Sequence, residues 1–164
     1  METILITGAT GFLGSHLVET LLNYGYSVVI LKRSTSNTRR IYHLLEHLKS
    51  YDIDNVSIES AFKDQNIDIV IHTACKYGRN EEPMCEIFES NVMFGLRILD
   101  LCIKFKITNF FNTDTFFNTG SLTQQHLNAY ILSKKHFLYE IFCYFWTTNF
   151  LLNSLNINFY KKIP

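Results

Sequence analysis

Thr3-Ile4-Leu5-Ile6-Thr7-Gly8-Ala9-Thr10-Gly11-Phe12-Leu13-Gly14 is the stretch on which the reading of this chain turns. Its first five residues are an apolar, partly β-branched run without alternation, the pattern of a strand buried on both faces. The run breaks at Gly8, and glycines recur at steps of three. From Phe12 the apolar residues Phe12, Leu13, Leu17, Leu21 and Leu22 follow a helical period. That period stops at Asn23-Tyr24-Gly25, where Gly25 suits a left-handed cap. Ser27 to Leu31 then reads as a second buried strand, so the first thirty residues run strand, helix, strand.

Each glycine of the turn has a physical use. One permits a sharp bend, one lets backbone approach a pyrophosphate, and one lets the helix pack closely on the sheet. The N–H groups of the first helical turn would face the phosphates, so the turn predicts dinucleotide binding. In such a fold an acid at the end of strand two accepts from the adenosine ribose. Here that end is Leu31-Lys32-Arg33-Ser34, without an acid. A guanidinium at Arg33 would grip a 2′-phosphate with paired donors, which favours NADP over NAD.

Outward from this unit the alternation continues. Ile41, Leu44, Leu45 and Leu48 have helical spacing, and Asn55 to Lys63 reads as a short helix. Asp68-Ile69-Val70-Ile71-His72 is a buried strand, Met84 to Phe105 a long helix opened by Pro83, Ile107 to Phe111 a strand and Asn128 to Phe145 a helix. Strands alternating with helices predict an α/β fold, a doubly wound parallel sheet with helices on both faces.

Composition narrows the function. At 164 residues with 47% hydrophobic and 18% charged residues, the chain holds one ordinary domain and is not disordered. Fifteen basic and fifteen acidic residues cancel, so no net field draws nucleic acid or an anionic membrane. Cys75, Cys85, Cys102 and Cys143 lack zinc-ligand spacing, as do the six histidines, of which His43 and His47 read as surface residues; no metal site is expected. Free thiols and the absence of a basic leader predict a cytoplasmic protein. The charge-free run from Ile141 to Tyr160 is too polar to span a bilayer. Composition changes near the end, dividing the chain into a domain over 1–146 and an Asn-rich, acid-poor tail over 147–164.

Tyr130-Ile131-Leu132-Ser133-Lys134 puts Tyr130 and Lys134 one helical turn apart on one face, where an ammonium can stabilise a phenolate. With the glycine turn, the Ile67-Asp68-Ile69-Val70-Ile71-His72-Thr73-Ala74 segment and Glu89-Ser90-Asn91-Val92, this pair makes the chain resemble the extended short-chain dehydrogenase/reductases, in their NAD(P)-dependent epimerase/dehydratase branch acting on nucleotide sugars. The resemblance implies that Gly8, Gly11, Phe12, Leu13 and Gly14 line the cofactor phosphates. It implies that Asp52 and Ile53 flank the adenine, with a third strand just before Asp52. Thr73, Ala74 and Cys75 would lie along the cofactor, and Asn91 would support the sheet. Tyr130 would be the acid/base, and Lys134 would bind the nicotinamide ribose and tune Tyr130.

The resemblance also implies a catalytic hydroxyl after strand five, in Asn112-Thr113-Asp114-Thr115-Phe116-Phe117. Thr113 takes the place by likeness to the family's pattern; counting back from Gly120 chooses Thr115. Dehydratases of this kind carry Asp then Glu after the Thr, whereas here Thr115 follows Asp114, which disfavours elimination and leaves ketone reduction or 4-epimerisation. The basic end of strand two tilts the choice to reduction, as in 4-keto-deoxysugar reductases, because net reduction consumes a dissociable reductant. A nucleotide-sugar substrate and a homodimer built on the helices Met84 to Phe105 and Asn128 to Phe145 follow from the same likeness. Asp114 reads either as a catalytic acid or as a loop ligand, and Arg79 as a solvated residue or a contact to a substrate phosphate. Against such enzymes the chain has about half the expected length and lacks most of a substrate lobe, so a catalytically inactive cofactor binder and a truncated product stand as alternatives.

Overall fold

The computed structural model describes residues 1–79, 82–107, 109–115 and 127–148. Five parallel strands form one sheet in the order β3-β2-β1-β4-β5: β1 Thr3–Thr7, β2 Ser27–Lys32, β3 Lys49–Asp52, β4 Ile69–His72 and β5 Asn109–Asn112. Helices α1 (Phe12–Asn23), α2 (Ile58–Asp64), α3 (Met84–Phe88), α4 (Phe94–Lys104) and α5 (Asn128–Thr148) join or follow them. Leu5 pairs in register with Val29 on one side and Val70 on the other, and Val70 pairs with Phe110.

Alternate residues of these apolar strands serve two cores. Leu5, Val29, Val70 and Phe110 point to one face and pack with Ala61, Phe62, Ile98, Leu99, Cys102, Phe137 and Ile141 from the helices. Ile4, Ile6, Val28 and Ile30 point to the other and pack with Val18, Ile41 and the partly buried Leu17 and Leu21. Burial on both faces is why β1 reads as an unbroken apolar run rather than an alternating one. Strand order reverses beside β1, between β2 and β4, and an open α/β sheet binds ligands at the carboxyl ends of its strands at such a point.

Several expected boundaries shift, that of α5 among them, which runs to Thr148 rather than Phe145 and so past the expected start of the tail at 147. The segment with helical spacing near Leu44 is a 3-10 helix, Tyr42–His47, because Ile41 is fully buried and the chain must enter β3 at Lys49. His43 and His47 are exposed on it. Helix α2 begins at Ile58 rather than Asn55, where the Ser57 hydroxyl accepts from the Glu59 N–H. The long helix from Met84 carries a π turn at Glu89–Met93, which turns the adjacent Asn91 and Val92 both inward. Ile107 belongs to the end of α4 rather than to β5: its N–H donates to the Cys102 carbonyl at 2.8 Å after Lys106 takes φ +59°.

The expected third strand is found at Lys49–Asp52. Phe116, Phe117 and Gly120, which decided between the two threonine placements, lie outside the described residues, as does the tail from 149. Among the described residues no helix is long and apolar enough to cross a membrane, and no group of three or more His, Cys, Asp or Glu side chains is placed to hold a metal ion.

Candidate active site

A cleft of about 430 Å³ opens at the carboxyl ends of the strands. Its floor is the glycine turn. Gly8 has φ +70°, and a Cβ there would stand 2.6 Å from the Ala74 amide nitrogen, so the chain leaving β4 passes directly against it. At Gly14 a Cβ would run into the Gly8 carbonyl oxygen. Side-chain hydrogen bonds fix the junction: the Thr73 hydroxyl donates to the Thr7 carbonyl at 2.7 Å, and the Ala74 N–H donates to Thr7 Oγ1 at 3.3 Å. Gly8, Gly11, Phe12, Leu13 and Gly14 thus line a cradle at the start of α1, whose first-turn N–H groups have no partner within the helix.

Arg33 and Ile53 close one end of the cleft. Asp52 does not line it. Its carboxylate accepts from Ser34 Oγ at 2.8 Å and meets Lys32 Nζ at 3.5 Å, and the Ser34 contact above all holds it below the ordinary carboxylate range. An acid therefore does reach the end of β2, delivered by β3, and it engages Lys32. Arg33 lies apart from that pair. Its N–H donates to Ser36 Oγ at 3.0 Å, and among the described residues no carboxylate lies within ion-pair distance of its guanidinium.

Tyr130 stands at the other end with Thr73, Ala74, Cys75, Thr113 and Asp114. It occupies the first turn of α5, is 5% exposed and hydrogen-bonds the buried Thr115. Burial pushes its phenol well above the ordinary tyrosine value, and neighbouring Cys75 pushes it further. Lys134, one turn on, is 1% exposed, and its Nζ has no hydrogen-bond partner among the described residues. Burial lowers its pKa, opposed by the nearby Cys75 and Asp114.

Thr113 lines the cleft, its hydroxyl turned back to the His72 carbonyl at 3.3 Å. Thr115 is absent from the lining and touches Tyr130 from the buried side. The Asp114 side chain is 4% exposed, meets Lys135 Nζ at 3.5 Å and, among the described residues, has no hydrogen-bond partner for Oδ1.

Asn91 ties these pieces together. Its Oδ1 accepts from the Lys76 N–H at 2.6 Å, and its Nδ2 donates to the Lys76 carbonyl and to Ser133 Oγ, each at 2.9 Å. Ser133 Oγ in turn donates to the Tyr130 carbonyl at 2.7 Å. The loop after β4 and the turn carrying Tyr130 are thus held by one buried amide.

Two residues near the site have no role that the sequence pattern assigns. Tyr77 lies against Tyr130, ring centroids 4.7 Å apart and planes 31° from parallel. His72 is wholly buried, with Nδ1 2.8 Å from Thr7 Oγ1. The apolar frame of its strand suggests a core residue, and only the Thr7 pairing across β1 reveals what it holds.

A dinucleotide fits the groups present. The cradle is one that side chains would fill, the first-turn amides of α1 can receive phosphate oxygens, and the buried Lys134 Nζ is a donor without an acceptor among the described residues. A family model described as NAD dependent epimerase/dehydratase family matches residues 4–139. CDP-abequose synthase from Salmonella muenchen is 37% identical over 137 residues, which cover 84% of this chain and 45% of that protein. The chain therefore spans about half the length of the curated relatives it matches. Among solved structures, UDP-glucose 4-epimerase from Thermotoga maritima, in complex with UDP-glucose, superposes with a TM-score of 0.76 at 20% identity, covering 94% of this chain and 54% of that one. The Thermus thermophilus UDP-glucose 4-epimerase complex with NAD gives 0.74 at 23%, covering 94% and 54%. Fold, glycine cradle and family match agree: the chain belongs to the NAD dependent epimerase/dehydratase family.

Proposed function

We propose that the chain carries the cofactor and catalytic centre of a cytoplasmic, NADP-dependent nucleotide-sugar reductase or epimerase, with reduction the favoured direction. The observation that carries this reading is the buried Tyr130, which lines the cleft above the glycine turn, with the buried Lys134 one helical turn further along α5. When bound, the reduced nicotinamide supplies hydride to a sugar carbonyl carbon. Tyr130, kept protonated by its burial, gives the proton to the carbonyl oxygen. Lys134 holds the nicotinamide ribose and steadies the phenolate left behind. Thr113, which shares the cleft, donates to the same carbonyl oxygen once its hydroxyl leaves His72, while Thr115 keeps the Tyr130 hydroxyl in place.

Gly8, Gly11, Phe12, Leu13 and Gly14 would receive the pyrophosphate, Ile53 the adenine, and Thr73 and Ala74 the nicotinamide half. Asp52 acts indirectly, by occupying Lys32 and Ser34. Purified protein titrated with NADPH and then supplied with a 4-keto nucleotide sugar tests the whole reading. Tight binding with turnover bears it out. Binding without turnover assigns a cofactor-binding role instead, and aggregation without binding marks a chain that does not form the site.

Preference for NADP rests on Arg33. Its guanidinium has no carboxylate partner among the described residues, and paired charge-assisted hydrogen bonds to a 2′-phosphate are worth roughly 1.5–3 kcal/mol. Arg33→Ala is expected to weaken NADPH binding by about 10–100-fold and to leave NADH within about twofold. Equal losses for both cofactors in a fluorescence titration would remove the basis for the preference.

We also propose a homodimer through the outer faces of the helical stretch 84–105 and α5. Met93, Leu132, Tyr139 and Phe142 are exposed there, an unusual density of large apolar side chains for a solvated surface. Light scattering at micromolar concentration should return twice the 19.2 kDa of one chain. A monomer mass would refute the assembly.

A further inference from the structure

We propose that the Tyr77-Gly78-Arg79 turn is an anion clamp for the diphosphate of a nucleotide substrate, with the Arg79 guanidinium as its donor. The proposal deepens the reading above, because it takes Tyr130 as the mark of where the substrate's sugar lies. Gly78, at φ +74°, bends the chain so that Arg79 folds over its neighbour, with Cζ 4.6 Å from the centroid of the Tyr77 ring. Tyr130 lies against that ring at 4.7 Å, so two stacking distances separate the guanidinium from the tyrosine at which chemistry is placed. The diphosphate of a nucleotide sugar is attached at C1, across the ring from C4, so an anion site beyond Tyr77 faces the diphosphate end of a substrate whose carbonyl meets Tyr130.

The turn is also anchored rather than adrift. The residue before it, Lys76, is gripped through both its N–H and its carbonyl by the buried Asn91, which reaches Tyr130 through Ser133. Stacking on an aromatic face leaves the guanidinium edge, with its N–H donors, open to an anion. Lys134 is assigned above to the cofactor, and the other cations around the cleft are engaged: Lys32 with Asp52, Lys76 with Glu86, Arg97 with Glu89 and Lys135 with Asp114. Arg33 lines the cleft and Arg79 stacks on Tyr77, which lines it, and among the described residues neither guanidinium has a carboxylate within ion-pair distance. Arg33 stands where the cofactor's adenosine would lie, which leaves Arg79 for the anion on the Tyr130 side.

The test is calorimetric titration of the full chain with CDP and with UDP, in the absence of NADP and at saturating NADP, with cytidine and uridine as uncharged controls. Arg79→Ala and Arg79→Gln are expected to weaken diphosphate binding at least tenfold in either condition, Arg79→Lys by less, and none to change NADP affinity more than twofold. Tyr77→Phe should bind as wild type, because the stacking face survives, and Tyr77→Ala should lose part of the affinity. Unchanged diphosphate binding in the Arg79 variants overturns the clamp, as does failure of the wild type to prefer CDP over cytidine. A loss of NADP affinity in Arg79→Ala would also overturn it, since the arm would then serve the cofactor. A diphosphate loss in protein that takes no NADP would uphold the clamp and overturn the cofactor reading instead.

Discussion

Tyr130→Phe is expected to lower turnover of a 4-keto nucleotide sugar by about 10²–10⁴-fold, the usual worth of a positioned general acid, and to leave NADPH affinity within about twofold. The substitution removes one hydroxyl and keeps the ring that packs on Leu127, Ile131 and Tyr77. Cofactor affinity is spared because the phosphate cradle and Arg33 lie elsewhere in the cleft. The two threonines divide the role in a way turnover can resolve. Thr113→Val should cut kcat through the substrate oxygen. Thr115→Val should act through Tyr130, whose phenol loses the hydrogen bond that opposes its upward displacement. The acid limb of the reduction then differs between them: Thr115→Val moves the high-pH loss of activity to still higher pH, and Thr113→Val leaves it in place. Unchanged turnover in Tyr130→Phe would end the catalytic assignment, whichever threonine matters.

The glycine turn and the Tyr130–Lys134 pair were legible because their constraints are local. A residue that must accept φ +70° against a crossing backbone is confined to glycine, and two residues one helical turn apart share a face whatever surrounds them. The parallel sheet was legible for a related reason: burial on both faces leaves apolar runs in β1, β2 and β4 that no amphipathic helix would show. What escaped depends on partners far along the chain. The end of β2 has no acid in its own sequence, yet Asp52 arrives there from β3 in register with Lys32. That register is a property of the folded sheet, and no spacing between residues 32 and 52 announces it. The π turn at Glu89–Met93 is equally silent, since one extra residue in a helical turn barely disturbs apolar periodicity. Its consequence is large, because it aims Asn91 at the loop after β4. The threonine choice was open for a third reason: both hydroxyls follow β5 within three residues, and only the path of the chain decides which reaches the cleft and which turns inward.

His72 predicts how the fold responds to acid. The ring is wholly buried among Phe94, Phe110 and Phe137, with its Nδ1 on Thr7 and its Nε2 without a partner among the described residues. Burial, assisted by the charge of Lys134, holds its pKa down to about 3, from the ordinary 6.5. The folded state therefore binds fewer protons than the unfolded chain between these values, and stability must rise with pH across that window. The contribution is complete above pH 6.5 and is lost as pH falls from 6.5 toward 3. A tenfold change in proton affinity between the folded and unfolded states is worth about 1.4 kcal/mol, so the full effect is on the order of 4–5 kcal/mol, a large share of the roughly 5–15 kcal/mol that holds a domain together. Unfolding free energies from urea titrations between pH 7.5 and 4.5 should be flat at first and then decline by about 1.4 kcal/mol per pH unit below 6.5. His72→Phe keeps the aromatic packing and removes the titration; His72→Gln keeps a polar partner for Thr7. Both should be less stable than wild type at pH 7.5 and should lose most of the decline below 6.5. The same slope in all three proteins would place the acid sensitivity in other groups and return His72 to an ordinary core residue.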